Sequence, residues 1–208
     1  MPLRDDLLQP IPGPNPGGTN LRYDPVYEKI KEARLGALLY LAALNAERTR
    51  QEMFLTNTYP SGGPPRQPVS GTLNGRPFQS IEDADPRIGQ RLEVFAGGQY
   101  LWLPFSHIAS VRIGAPKRLR DLLWTPAIIR PAPDIKTFEL GEVLVPAIAP
   151  LSWQHPDSAV RLGRVTEWVS DNGREIPLGQ KLLLVDGEEV SLLEVRELDI
   201  TAGPAAVA

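Results

Sequence analysis

The sequence predicts an α+β fold, with a long N-terminal helix packed on a mostly antiparallel, β-rich C-terminal domain. Three observations predict it. Asp24-Pro25 opens a run in which apolar residues recur at helical spacing. After residue 70, the dipeptides Asn74-Gly75, Gly97-Gly98, Asn172-Gly173 and Asp186-Gly187 separate short apolar runs, as hairpin turns do. Between the two regions lies Pro60 to Pro68, PSGGPPRQP, which neither a helix nor a central strand accepts.

The helix has a start signal and a periodic face. Asp24 serves as N-cap, and Pro25 takes the first helical position, where a missing N–H costs nothing. Val26, Ile30, Ala33, Ala37, Leu41 and Leu44 then recur at helical spacing, and the pattern continues to about Phe54. Gly36 interrupts it at a cost of about 1 kcal/mol relative to Ala. Two helices meeting near Gly36 are therefore an alternative to one long helix.

The strands follow from alternation between turns. In Gln99 to Phe105, Tyr100 and Trp102 share one face, with Leu101 and Leu103 on the other. Lys181–Val185 and Val190–Val195 flank Asp186-Gly187 as a hairpin, Phe138 to Ala147 supplies an apolar strand, and Arg164 to Val169 alternates. Weak helical signals occur at Pro86 to Phe95 and Pro116 to Leu122. No repeat of 20–50 residues is visible.

Composition excludes several function classes. The chain has 208 residues and a net charge of −3, which points away from nucleic acid and anionic membranes. There is no cysteine, so disulfides, thiolate metal sites and a cysteine nucleophile are excluded together. The N-terminus reads as lacking a signal peptide, and the apolar run Gly36 to Leu44 is too short to span a bilayer. A cytoplasmic protein is expected. Proline is abundant, 22 residues against 18 glycines, and its other cluster is Pro10 to Pro16.

Chemistry is sparse. Glu82, Asp83 and Asp85 could offer oxygen ligands to a hard cation, but the run lacks the spaced ligands and glycine of a calcium loop. An acidic turn facing a helix N-terminus or nearby arginines is the competing reading. Ser106 and His107 are adjacent, and neighbours on a strand point to opposite faces, which disfavours nucleophile and base roles. His155 falls in a turn. No nucleophile elbow, phosphate loop or metalloprotease motif occurs. The expectation is no enzyme, no catalytic residue, no cofactor and no metal. Trp102, Trp124, Trp153 and Trp168 are core residues or interface anchors. Lys117 to Leu122 reads as a charged surface turn.

At this point the residues carry a resemblance. Leu73-Asn74-Gly75, Pro77-Phe78 and Ile81 to Gly89 are followed by Tyr100 to Phe105, Leu119 to Ala127, Arg161 to Trp168, Leu178-Gly179-Gln180 and Leu192 to Arg196. In that order and spacing they resemble the C-terminal domain of the ImpE/TagJ family of type VI secretion accessory proteins, over about 71–200. Leu7 to Ile11, Asn15 to Gly18 and Leu21 to Tyr27 resemble the start of an ImpA/TssA N-terminal domain, over about 3–35. Family members of the first kind carry a longer helical N-terminal region, where this chain has one helix. The domain reading is thus 1–35 arm and helix start, 36–59 helix, 60–70 linker, 71–200 ImpE/TagJ-like domain and 201–208 disordered tail.

The resemblance implies a non-enzymatic adaptor that binds the type VI sheath small subunit or baseplate proteins, with no nucleic acid and no membrane insertion. A helix-in-groove contact needs an exposed apolar strip. Its candidates are Leu38, Leu41 and Leu44 on the helix, with Trp102 and Phe105 on the β-domain. Packing of these residues onto the sheet is the competing reading. Two alternatives of function stand beside the adaptor. One is a small-ligand or metal-binding β-domain using Glu82, Asp83, Asp85 and His107. The other is a self-assembling structural component, a homo-oligomer held through the helix of residues 24–54.

Overall fold

The computed structural model describes residues 25–56, 69–133, 135 and 141–201. The Asp24 cap, the proline clusters at 10–16 and 60–68, the start of the strand expected from Phe138 and residues 202–208 of the expected tail lie outside them. So does the ImpA/TssA-like stretch up to residue 24.

Two compact units divide the chain, 1–41 and 42–208. Helix α1, Pro25–Thr56, begins in the first and ends in the second. Within the first unit, Leu38 and Leu41 of α1 are exposed.

The second unit is built from strands. They are β1 (Ser70–Leu73), β2 (Arg76–Phe78), β3 (Ile81–Asp83), β4 (Arg91–Ala96), β5 (Gln99–Pro104), β6 (Ile108–Ile113), β7 (Trp124–Pro131) and β8 (Glu142–Pro146). After the one-turn helix α2 (Ser158–Arg161) come β9 (Thr166–Asp171), β10 (Arg174–Gly179), β11 (Leu182–Val185), β12 (Glu188–Ser191) and β13 (Glu197–Thr201). β2, β1, β13, β6, β7, β8, β4 and β5 form an eight-stranded antiparallel sheet in that order. β12, β11 and β3 form a second sheet, and β9 with β10 a two-stranded ribbon. Thr201, where the expected tail begins, instead pairs with Ser70 at the end of β13.

The turn dipeptides explain the hairpins. Asn74-Gly75, Gly97-Gly98, Asn172-Gly173 and Asp186-Gly187 all have positive φ at both positions, the geometry that matches strand twist in two-residue turns. Asp186 does a second job: its Oδ1 accepts the N–H groups of Gln79 and Ser80 at 2.8 and 2.7 Å, tying this turn to the link between β2 and β3. The core gathers Val94 of β4, Val143 and Val145 of β8, Val111 of β6, Phe78 of β2, and Phe105 and Leu192 from short 3-10 turns.

This architecture is mainly β and corrects the expected α+β class. Among the described residues, no long helix lies packed as a layer on the sheet. Apolar periodicity along α1 does not mark its packing side. Leu38, Leu41 and Leu44 are exposed, and in the second unit the buried positions of α1 are Ala43, Ala46, Arg50 and Phe54. The weak helical signal at Pro86 to Phe95 is corrected as well. Asp85 accepts the N–H of Arg87 at 3.0 Å in a tight turn, Gly89 follows with φ +63, and the chain then extends as β4.

Gly179 ends β10 with φ +101, and a Cβ there would lie 2.0 Å from the Val165 carbonyl oxygen. Gly179→Ala is expected to lower the unfolding free energy by at least about 1–3 kcal/mol, because a backbone carbonyl must move to admit the methyl group. Urea denaturation checks it; an unchanged midpoint would contradict the close approach.

Candidate functional site

Ala43, Ala46, Arg50 and Phe54 recur at three- and four-residue steps, so they share one side of α1. The two alanines bring the helix backbone close to its neighbours. Arg50 then reaches a site that water does not: it is 2% exposed, and its partner Glu93 in the middle of β4 is 0% exposed. Arg50 Nε donates to Glu93 Oε1 at 2.8 Å and Nη2 to Oε2 at 3.2 Å, a two-pronged pairing that suits a planar guanidinium. Nη2 also donates to the Ile148 carbonyl at 2.8 Å, and Nη1 to Glu47 at 3.1 Å.

Glu93 accepts from two further donors, the Tyr100 hydroxyl of β5 and Nζ of Lys181, just before β11. The Trp102 indole N–H donates to the Tyr100 hydroxyl in turn. Lys181 Nζ lies 2.6 Å from Asp83 Oδ2, so the buried cluster holds two cations and two carboxylates. Around it, Trp124 Nε1 donates to Glu47 at 3.2 Å, and Gln51 Oε1 accepts from Leu151 N at 3.0 Å and Trp153 Nε1 at 3.2 Å. Phe54 stacks near Trp102 at 6.1 Å between ring centroids, and the Arg87 guanidinium lies over Phe54 at 4.7 Å.

The two carboxylates are pushed apart. Burial alone would raise Glu93, but the charges of Arg50 and Lys181 outweigh it and bring its pKa down to about 2. Burial raises Asp83 to about 7; Lys181 offsets only part of that, and the negative charge of Glu93 adds to it. Burial acts against the charge of Lys181, and the two carboxylates more than restore it. Burial also raises the Tyr100 hydroxyl, and Glu93 raises it further, which keeps it a hydrogen-bond donor. The cluster's exposure of 0–2% leaves no route for a solute, so its chemistry is that of an anchor.

The expected site residues fall in different places. Leu38, Leu41 and Leu44 are 61%, 59% and 54% exposed, and three-residue steps put them along one side of α1. Trp102 is half-buried, engaged with Tyr100 and Phe54, with the Arg91 guanidinium 5.3 Å from its ring centre. Phe105 is 1% exposed and belongs to the core, so it does not present an anchor. Among the other tryptophans, Trp153 is exposed, and Trp124 and Trp168 are half-buried.

The acidic run is divided among structural tasks. Asp83 faces Lys181, Asp85 pairs with Arg87 at 2.6 Å, and Glu82 sits in β3 opposite Leu184. His107 ends a 3-10 turn rather than lying on a strand beside Ser106. Arg50, Glu93 and Lys181 were not singled out in the sequence. The one available signal was Glu93 itself, a carboxylate inside the apolar run Leu92 to Ala96. An open groove of about 750 Å³ lies at the ends of β6, β7 and β8, but its two arginines are tied back to the protein. Arg112 bonds Asp199 at 2.7 Å, and Arg196 bonds the carbonyls of Leu193 and Val195 at 2.7 and 2.8 Å.

The ImpE protein family matches residues 75–199, which carry β2 to β12 whole and three of the four cluster charges. The chain belongs to the ImpE family. An ImpE relative, the type VI secretion system accessory component TagJ of Pseudomonas aeruginosa, is 43% identical over 131 residues, covering 63% of this chain. The chain spans 44% of that relative's length. A crystal structure of a Vibrio parahaemolyticus protein shares the fold at a TM-score of 0.57 and 22% identity, covering 87% of this chain and 64% of the other. The ImpE match takes in Asp83, Glu93 and Lys181 and leaves out Arg50, so the anchor joins the family domain to a helix outside the matched residues. It also leaves the ImpA/TssA-like reading of residues 3–35 without support. No helix among the described residues is long and apolar enough to cross a membrane.

Two predictions follow from the cluster. Arg50→Met leaves Glu93 with Lys181 and the Tyr100 hydroxyl, one cation fewer, and is expected to cost about 3 kcal/mol in urea denaturation. The second concerns pH. Asp83 is raised from 3.8 to about 7, so its contribution to stability is complete below about pH 4 and is lost as pH rises toward 7. Glu93 has the opposite sign: lowered from 4.5 to about 2, it stabilises above pH 4.5 and loses that contribution as pH falls. Between pH 5 and 7 the unfolding free energy is therefore expected to fall with a slope of at most about 1.4 kcal/mol per pH unit. In Asp83→Asn that slope should flatten; a slope equal to wild type would remove Asp83 as its source.

Proposed function

We propose that the chain is a non-enzymatic accessory of a bacterial type VI secretion system. In this reading it is a cytoplasmic adaptor that binds the sheath small subunit, with baseplate proteins as the second partner class. Membership of the ImpE family, with a TagJ accessory component 43% identical over 131 residues, carries the reading. The buried charges fit it, because Arg50, Lys181, Glu93 and Asp83 pair with one another in an internal anchor.

The binding surface in this reading is the exposed leucine side of α1, with Leu38, Leu41 and Leu44; Trp102, on the β unit, is a separate candidate. Each leucine covered by a partner contributes about 1.5–3 kcal/mol of apolar burial. Three in a row suit an amphipathic partner helix better than a polar surface.

Calorimetric titration with the purified sheath small subunit tests the proposal. Leu41→Glu with Leu44→Glu is expected to weaken binding at least a hundredfold while leaving the melting temperature close to wild type, since both side chains are exposed. Absence of binding by the folded wild-type chain, or an unchanged dissociation constant in the variant, would move the contact elsewhere.

A further inference from the structure

The ribbon of β9 and β10 is separate in hydrogen bonding from both larger sheets. An isolated two-stranded ribbon is marginal in water, so its edges need an account. Its register pairs Asp171 with Arg174, Val169 with Ile176 and Glu167 with Leu178. One step further along, Gln180 N donates to the Val165 carbonyl at 3.2 Å. That bond fixes the alternation: odd-numbered residues of β9 bond to β10, and the N–H and C=O of Thr166, Trp168 and Ser170 turn outward. Pro177, which has no N–H, sits opposite Trp168 at a position where no bond to β9 is required.

The two outer edges differ. On β10, Gly179 N donates to Ser152 Oγ at 2.7 Å and its carbonyl accepts from Ala149 N at 2.8 Å. On β9, no backbone partner for Thr166, Trp168 or Ser170 occurs among the described residues. The strand carries no proline, lysine or bulge, the devices that blunt an edge against pairing. Ser170 is exposed, and Val165, just before the strand, is 47% exposed.

We propose that β9 pairs antiparallel with β9 of a second copy of this chain, about a twofold axis at Trp168, joining two ribbons into one four-stranded sheet. The occupant and register both follow from the charges. Three symmetric registers pair two or more of the outward residues on each strand. Centring between Thr166 and Trp168 sets Glu167 against its own copy, and centring between Trp168 and Ser170 sets Glu167 against Asp171. Like charges directly opposite destabilise a pair. Centring on Trp168 sets Glu167 against Val169 and Thr166 against Ser170, with Trp168 on Trp168. That register alone has no opposed like charges, and it satisfies all three outward residues with about six backbone bonds. The contact is isologous and closes on itself, as a twofold dimer requires.

Sedimentation of the full chain, with two variants, tests this. The wild type is expected to dimerise, and Ser170→Pro, which removes an outward N–H but no bond to β10, to raise the dissociation constant at least tenfold with an unchanged circular dichroism spectrum. The chain has no cysteine, so a single introduced thiol reports position. Trp168→Cys is expected to form a disulfide-linked dimer under mild oxidation, since paired Cα atoms lie about 5.5 Å apart. Thr166→Cys, which faces Ser170 in this register, should stay reduced. A monomeric wild type at 100 μM would overturn the proposal, as would equal cross-linking at both positions. A dimer broken by Leu41→Glu but not by Ser170→Pro would assign the contact to α1 and overturn it too.

Discussion

A carboxylate at the centre of an apolar strand must be matched or neutralised, and Glu93 is matched four times. Arg50, Lys181 and Tyr100 supply every donor, and each comes from a different element. Removing Glu93 from water costs several kcal/mol, which the partners offset through geometry more than through net gain. The yield is therefore specificity. Arg50 fixes which turn of α1 meets β4, and Lys181 fixes where the β3–β11 sheet meets the larger one. The Ile148 carbonyl brings the segment after β8 into the same network. Slippage of any of these elements by one residue would leave a buried charge without its partner.

The helix thereby divides its work between two sides. Its buried positions are small, aromatic or ion-paired, and its exposed ones include four leucines, Leu38, Leu41, Leu44 and Leu55. That inverts the usual amphipathic pattern, in which the leucines face the core. A helix held by the Arg50–Glu93 pair, Phe54, two alanines and the hydrogen bonds of Glu47 and Gln51 can leave larger apolar side chains outside without losing its place. The match to the ImpE family begins after this helix, at residue 75.

Much of the β unit could be read directly. Each turn dipeptide forces positive φ on residues that tolerate it, which places the hairpins of β1–β2, β4–β5, β9–β10 and β11–β12 from local chemistry alone. The side of α1 that packs could not be read, because apolar periodicity reports where leucines are and not whether a partner covers them. β4 escaped for a related reason. Strict alternation marks a half-buried strand, and β4 is buried on both faces with Glu93 among its inward groups. Phe105 reads in the sequence as the end of an alternating strand, yet it begins a 3-10 turn that folds its ring into the core. Long-range pairing of charges, such as Arg50 with a residue 43 positions away, leaves no trace in local pattern.

β13 lies between β1 and β6, and its residues are the last of the described chain. A ribosome making this protein delivers β1 and β6 long before the strand that joins them. Until residues 197–201 emerge, both strands carry open inner edges, and the core beneath them is closed on neither side. Closure of the sheet accordingly waits for β13, and its folding is slow in the manner of sheets with distant partners.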